Sequence, residues 1–150
     1  MYSSIFKGIN LGIHEIGHIV FSVFGHFIMM AGGTILQCLA PVISIFLFYR
    51  QRDFFAIAIC FGWLATNLFD VATYVADARA MALPLVSPFG VEAAHDWHYL
   101  LGELGILKLD RFLGGLIRII GSLNMLICLI FGGWLLLIMF KTLKTDTIDI

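Results

Sequence analysis

The chain has 150 residues, of which 61% are hydrophobic and 13% charged, with a mean hydropathy of +0.99. Soluble domains average about 45–50% apolar and about 25% charged, so this composition excludes a water-soluble globule, and it leaves no residues for a separate catalytic domain outside a membrane. The net charge of -1 offers neither a nucleic-acid surface nor an acidic tail, and Cys38, Cys60 and Cys128 lie in apolar runs with no pairing or CxxC pattern.

A bilayer span takes about 20 apolar residues, and four stretches qualify in chain order: 5–30, 34–49, 54–76 and 116–140. The first reads as a retained span, because its apolar run carries His14, Glu15 and His18 and no cleavage pattern follows. Gly32-Gly33 reads as the turn after it, and Arg50-Gln51-Arg52-Asp53 as a charged hairpin between the second and third spans. Asp77-Ala78-Arg79 reads as a local salt bridge at a span end. Pro84 and Pro88 then open a long connection whose residues 91–107 carry Trp97, Leu100, Leu101, Leu104 and Leu107 at three- and four-residue spacing. That spacing predicts an amphipathic helix, lying at the interface or re-entering over the bundle. The expected fold is an all-α integral membrane protein with four transmembrane helices plus this amphipathic or re-entrant helix, in a single domain over 1–150. Lys7, Arg50, Arg52, Lys141 and Lys144 on one side outnumber Arg79, Lys108 and Arg111 on the other, which predicts both termini in the cytoplasm, in an inner or plasma membrane.

The residues that carry chemistry are His14-Glu15-Ile16-Gly17-His18. On a helix, positions four apart share a face, so two imidazoles can hold one metal ion while Glu15 flanks it. Zinc accepts neutral imidazole nitrogens, keeps a position open for water and lowers that water's pKa towards about 7. Glu15 is then the base that takes the proton from the water and returns it to the departing amine. Ionisable groups inside an apolar span are costly and mark function by default.

With this HExGH run on its first core helix, the chain resembles the site-2 protease class of intramembrane zinc metalloproteases, the M50-type peptidases. The resemblance implies His14 and His18 as ligands of Zn2+, Glu15 as catalytic base, and a transmembrane or membrane-proximal peptide as substrate. It also implies an Asp on a later helix as third ligand, in an Asp-Gly sequence that this chain lacks. The second-helix motif of the family has an echo in Ala40-Pro41, and Gln37, one turn earlier, is placed to donate to a substrate backbone.

Depth ranks the carboxylates. At 1.5 Å per residue, the midpoint of His14 and His18 lies ~17 Å from the start of the first span, and on the third span Asn67 lies at ~20 Å, Asp70 at ~24 Å and Asp77 at ~35 Å. Asp70 is therefore the first choice for third ligand. His95, in the cluster His95-Asp96-Trp97-His98, is the alternative if its helix re-enters over an aqueous cavity. The contrasting functional class is a non-proteolytic membrane metal-binding protein or transporter subunit, which needs the two His but not Glu15 as a base.

Overall fold

The computed structural model describes residues 6–83 and 95–146, and every regular element among them is helical. In chain order these are α1 (Lys7–Phe21), a 3-10 turn at Ser22–Phe24, α2 (His26–Gln51), α3 (Phe54–Ala76), α4 (Asp96–Glu103), a second 3-10 turn at Leu107–Leu109, and α5 (Asp110–Asp146). Three segments are long and apolar enough to cross a membrane: His26–Gln51, Phe54–Ala76 and Leu107–Thr142.

The first boundary differs from the one the sequence predicts. The chain turns at Gly25, whose φ of 90° and ψ of 165° suit a residue without a Cβ, and Gly32-Gly33 lies inside α2. At 15 residues, α1 is only ~22 Å long, and residues 26–30 belong to α2 instead. Packing explains the error. A Cβ on Gly17 would strike the Gly32 carbonyl, and one on Gly32 would lie 2.7 Å from the Gly17 carbonyl oxygen. The glycines let the two backbones touch, so the pair serves helix approach and needs no turn.

The charged hairpin lies where it was expected. Arg52 takes a left-handed conformation with φ 59°, and Asp53 caps α3 by accepting the Ala56 N–H at 2.9 Å. α3 is the central helix, with Ala58, Ala65, Asn67, Ala72 and Val75 fully buried. α5 runs antiparallel to it and starts earlier than predicted, at Asp110. There Asp110, 1% exposed, receives a fork from Arg79, Nη2 to Oδ1 at 2.7 Å and Nε to Oδ2 at 2.8 Å. The local Asp77 to Arg79 bridge is therefore not formed. Arg79 reaches across to α5, and Asp77 accepts the Leu83 N–H at 2.9 Å.

The amphipathic element is shorter than 91–107: α4 covers Asp96–Glu103, while positions 91–94 lie outside the described residues. Leu101 joins Val71, Val75 and Ala78 in the core cluster, with Trp97 packed against it, and His98 Nδ1 donates to the Ala78 carbonyl at 2.8 Å. The apolar stripe thus turns inward and folds α4 back over the bundle. Its first residue, Asp96, arrives against α1 at His14 and His18.

Candidate metal centre

α1 presents His14 and His18 on one face, a turn apart. The close approach of Gly17 to Gly32 brings that face onto α2 at Gly33, where the missing side chain makes room for both rings. A Cβ on Gly33 would lie 2.6 Å from His14 Nε2 and 2.7 Å from His18 Nε2.

The outer nitrogens of both rings are committed. His14 Nδ1 donates to Gln37 Oε1 at 3.0 Å, and His18 Nδ1 donates to the Met29 carbonyl at 2.8 Å. A carbonyl oxygen can only accept, so the proton of each neutral ring sits on Nδ1 and the lone pair on Nε2. Those two Nε2 atoms converge on one carboxylate oxygen, Asp96 Oδ2, at 3.1 Å and 3.4 Å. The rings meet edge to face with centroids 4.8 Å apart.

One donor atom from each of His14, His18 and Asp96 lies within 4.8 Å of the others. The three side chains are 12%, 21% and 6% exposed, so the cluster is withdrawn from solvent without being sealed. Three electron-rich atoms in such a place require positive charge between them, as shared protons or as a metal ion. Burial alone would raise the Asp96 pKa, but imidazoles that carry a proton on Nε2, by donating it and by their charge, outweigh burial and hold the carboxyl below the usual carboxylate range.

A supporting shell fixes the donors. Gln37, 6% exposed, is held by Asn67, whose Nδ2 donates to the Gln37 backbone carbonyl at 2.7 Å and whose Oδ1 accepts from Gln37 Nε2 at 3.4 Å. Gln37 is thus spent on His14 and Asn67, not directed at a substrate backbone. The Asp96 N–H donates to the Tyr74 hydroxyl at 3.1 Å, anchoring the first turn of α4 to α3. Glu15 lies beside the cluster, where its charge acts on His18 and Tyr74, and it makes no hydrogen bond or ion pair among the described residues.

Of the residues singled out from sequence, His14 and His18 come together, with Glu15 flanking them. The carboxylate they meet is that of Asp96, not Asp70. Asp70 faces the start of α1, where the polar groups acting on it are Asn10 and Lys7. His95 occupies the cap position of α4 and is not part of the converging group. Its neighbour Asp96 is the member of the His95-to-His98 cluster that reaches the imidazoles. Gly33, Asn67 and Tyr74 had not been assigned to the site.

The donor set of two imidazole nitrogens and one carboxylate oxygen is one that catalytic zinc uses, leaving a fourth position for water or substrate. Searches of protein-family models, curated proteins and solved structures find no match to this chain.

Proposed function

We propose that the chain is an intramembrane zinc metalloendopeptidase, with His14, His18 and Asp96 as metal ligands and Glu15 as the catalytic base. The observation that carries this reading is the commitment of both Nδ1 atoms to carbonyl oxygens, which aims two Nε2 lone pairs at the Asp96 carboxylate. Metal-binding histidines are held in this way, the far nitrogen bonded to a carbonyl so that tautomer and ring orientation are fixed.

The same reading takes α1, α2, α3 and α5 as four membrane-crossing segments and α4 as the re-entrant helix. Lys7, Arg50, Arg52 and Lys141 then gather at one end of an antiparallel bundle, with both termini in the cytoplasm. Bound zinc supplies an acidified water and a polarised amide carbonyl. Glu15 accepts the proton of the attacking water and returns it to the departing amine, a task for which a carboxylate without other partners among the described residues is suited. Asp96 offsets positive charge at the site, while Gln37 and the Met29 carbonyl hold the imidazoles still. A transmembrane substrate has to unwind locally, because in lipid every helical amide is hydrogen-bonded within its own segment.

The test is zinc analysis on the gently purified protein together with cleavage of a transmembrane peptide. The unsubstituted chain binds about one zinc. Glu15→Gln keeps the zinc and slows cleavage by about 10²–10⁴-fold, and His14→Ala loses both. Cleavage persisting in a clean Glu15→Gln preparation sinks the role of Glu15, and absence of zinc sinks the site. Zinc bound at the three residues with no peptidase activity identifies the alternative, a non-proteolytic metal-binding protein or transporter subunit.

A further inference from the structure

Asp96 reaches the imidazoles on an excursion of the chain that leaves α3 after Ala76 and returns at α5, so the rotation of α4 about its own axis has to be fixed from outside. His98 stands two positions after Asp96, ~200° around a helix, and is therefore directed almost opposite to it. Leu101 lies ~60° from His98, on the same side, and is buried with Val71, Val75 and Ala78. One side of α4 thus carries the carboxylate to α1, and the other rests on the end of α3. The apolar contact at Leu101 sets how closely α4 approaches, but burial of apolar surface has no direction. The hydrogen bond from His98 Nδ1 to the Ala78 carbonyl, at 2.8 Å, does have one.

Its acceptor is a fixed point. Ala78 is buried, and its N–H donates to the Val75 carbonyl at 3.1 Å. On either side of it, Asp77 accepts the Leu83 N–H and Arg79 forks onto the buried Asp110 of α5. Three consecutive residues therefore hold the outgoing chain, α4 and the start of α5, which ties the Ala78 carbonyl to both α3 and α5. Carbonyls at a helix C-terminus lack intrahelical donors, and His98 supplies one here.

We propose that His98 is a positioning residue for the metal centre: its bond to the Ala78 carbonyl fixes the roll of α4 and so aims the Asp96 carboxylate at His14 Nε2 and His18 Nε2. The Tyr74 hydroxyl holds the Asp96 N–H at 3.1 Å, but this is a single point on the backbone about which the helix can pivot. The second attachment, at His98, removes that freedom. The magnitude is sufficient. At the ~5–6 Å radius of a side-chain end, a roll of ~30° displaces an oxygen by ~3 Å, and a zinc ligand has to stand at about 2.0–2.2 Å from the ion. That Asp96 serves a metal ion rests on the peptidase reading. That His98 sets its direction does not.

The experiment compares three variants of the full chain in lipid nanodiscs. His98→Asn keeps a donor close to the place of Nδ1, His98→Gln keeps one but moves it outward, and His98→Phe keeps a ring with no donor. Zinc affinity by chelator competition is expected to fall about 10–100-fold in His98→Gln and His98→Phe and to stay within about threefold in His98→Asn. With cobalt in place of zinc, the visible spectrum should change in the first two variants, as the carboxylate ligand is lost, and stay that of the unsubstituted chain in His98→Asn. A role confined to stability would lower the folded fraction and leave affinity and spectrum per folded chain unaltered. Unsubstituted affinity in His98→Gln or His98→Phe overturns the proposal, and so do equal losses in all three. Should His98→Phe not fold, the contrast between His98→Gln and His98→Asn carries the test. Hydrogen exchange of the Asp96 amide in the zinc-free protein asks the same question without metal: it is expected to run at least about tenfold faster in His98→Gln than in His98→Asn, and equal rates overturn the proposal. A chain that shows this difference but binds no zinc removes the peptidase reading alone, and a chain that binds zinc without it removes this proposal alone.

Discussion

The α1 to α2 contact and the α3 to α5 contact use the same device for different ends. Between α3 and α5, a Cβ on Gly114 would lie 2.7 Å from the Ala72 carbonyl oxygen and 2.9 Å from the Ala76 Cβ, and one on Gly62 would lie 2.9 Å from Cys128 Sγ. These glycines face backbone and small side chains, so close approach there produces helix association. Between α1 and α2, Gly17 and Gly32 bring the backbones together in the same manner, but the next glycine along, Gly33, faces two imidazole nitrogens. What sits opposite a glycine, and not the glycine itself, decides whether it tightens a bundle or clears space for polar chemistry.

Two single-methyl substitutions separate these roles and carry the largest expected effects. Gly33→Ala places a Cβ where the two Nε2 atoms converge, while the His14, His18 and Asp96 side chains remain. Zinc affinity should fall at least about 100-fold, beyond the range usual for changes outside the ligand set, with circular dichroism still reporting a helical chain. Gly114→Ala meets a backbone carbonyl that cannot swing aside, so the helices must part. It should cost about 1–3 kcal/mol of stability, as overpacking does, and leave zinc per folded chain unchanged. Zinc binding by Gly33→Ala at the affinity of the unsubstituted chain would remove the converging geometry from the account, and loss of zinc from folded Gly114→Ala would show that the two contacts are not separate.

A smaller effect sharpens the same contrast between two side-chain amides. Gln37→Leu removes the acceptor for His14 Nδ1 and leaves the three donors in place. Affinity measured by competition with a chelator should drop about 10–100-fold, the usual cost of losing such support. Asn124→Leu, on the α5 side, removes a bond to its own helix, Nδ2 to the Ile120 carbonyl at 2.9 Å, on an exposed face, and should leave zinc affinity as it was. Equal losses from both would mean that these amides matter only through general stability.

The clustering of polar groups on α1 was legible because it is local. His14, Glu15 and His18 need only a helical period to fall together, and the apolar surroundings supply the reason to notice them. The charged hairpin at Arg50-Gln51-Arg52-Asp53 and the all-helical character were legible for the same reason. Features set by a second element were not. Gly32-Gly33 is a turn signal to any local reading, and only the arrival of Gly17 from another helix makes it a packing surface. The Asp77-Ala78-Arg79 run suggested a neighbouring pair, whereas Arg79 finds its partner 31 residues on, at Asp110. The cluster His95-Asp96-Trp97-His98 did mark α4 as a carrier of polar groups. Which of them faces the imidazoles depends on how Leu101 and His98 dock the helix on α3, and that is a tertiary fact.

The choice between Asp70 and Asp96 shows where depth stops being informative. His14 is level with Gln37, and Gln37 with Asn67, through direct hydrogen bonds, so Asp70, three residues further along α3, is close to the site in height. At 100° per residue it is turned ~60° from Asn67 around the helix, which directs it to Asn10 and Lys7. Position along an axis was countable from the sequence, and the direction faced was not. This gives the smallest predicted effect and the sharpest contrast. Asp70→Asn should leave zinc affinity within about twofold of the unsubstituted chain, whereas Asp96→Asn, which exchanges a charged donor for a neutral amide, should cost at least about 100-fold, since metal sites bind through ionised or lone-pair donors. Chelator competition on both variants decides it, and the reverse order of losses would return the third-ligand role to α3.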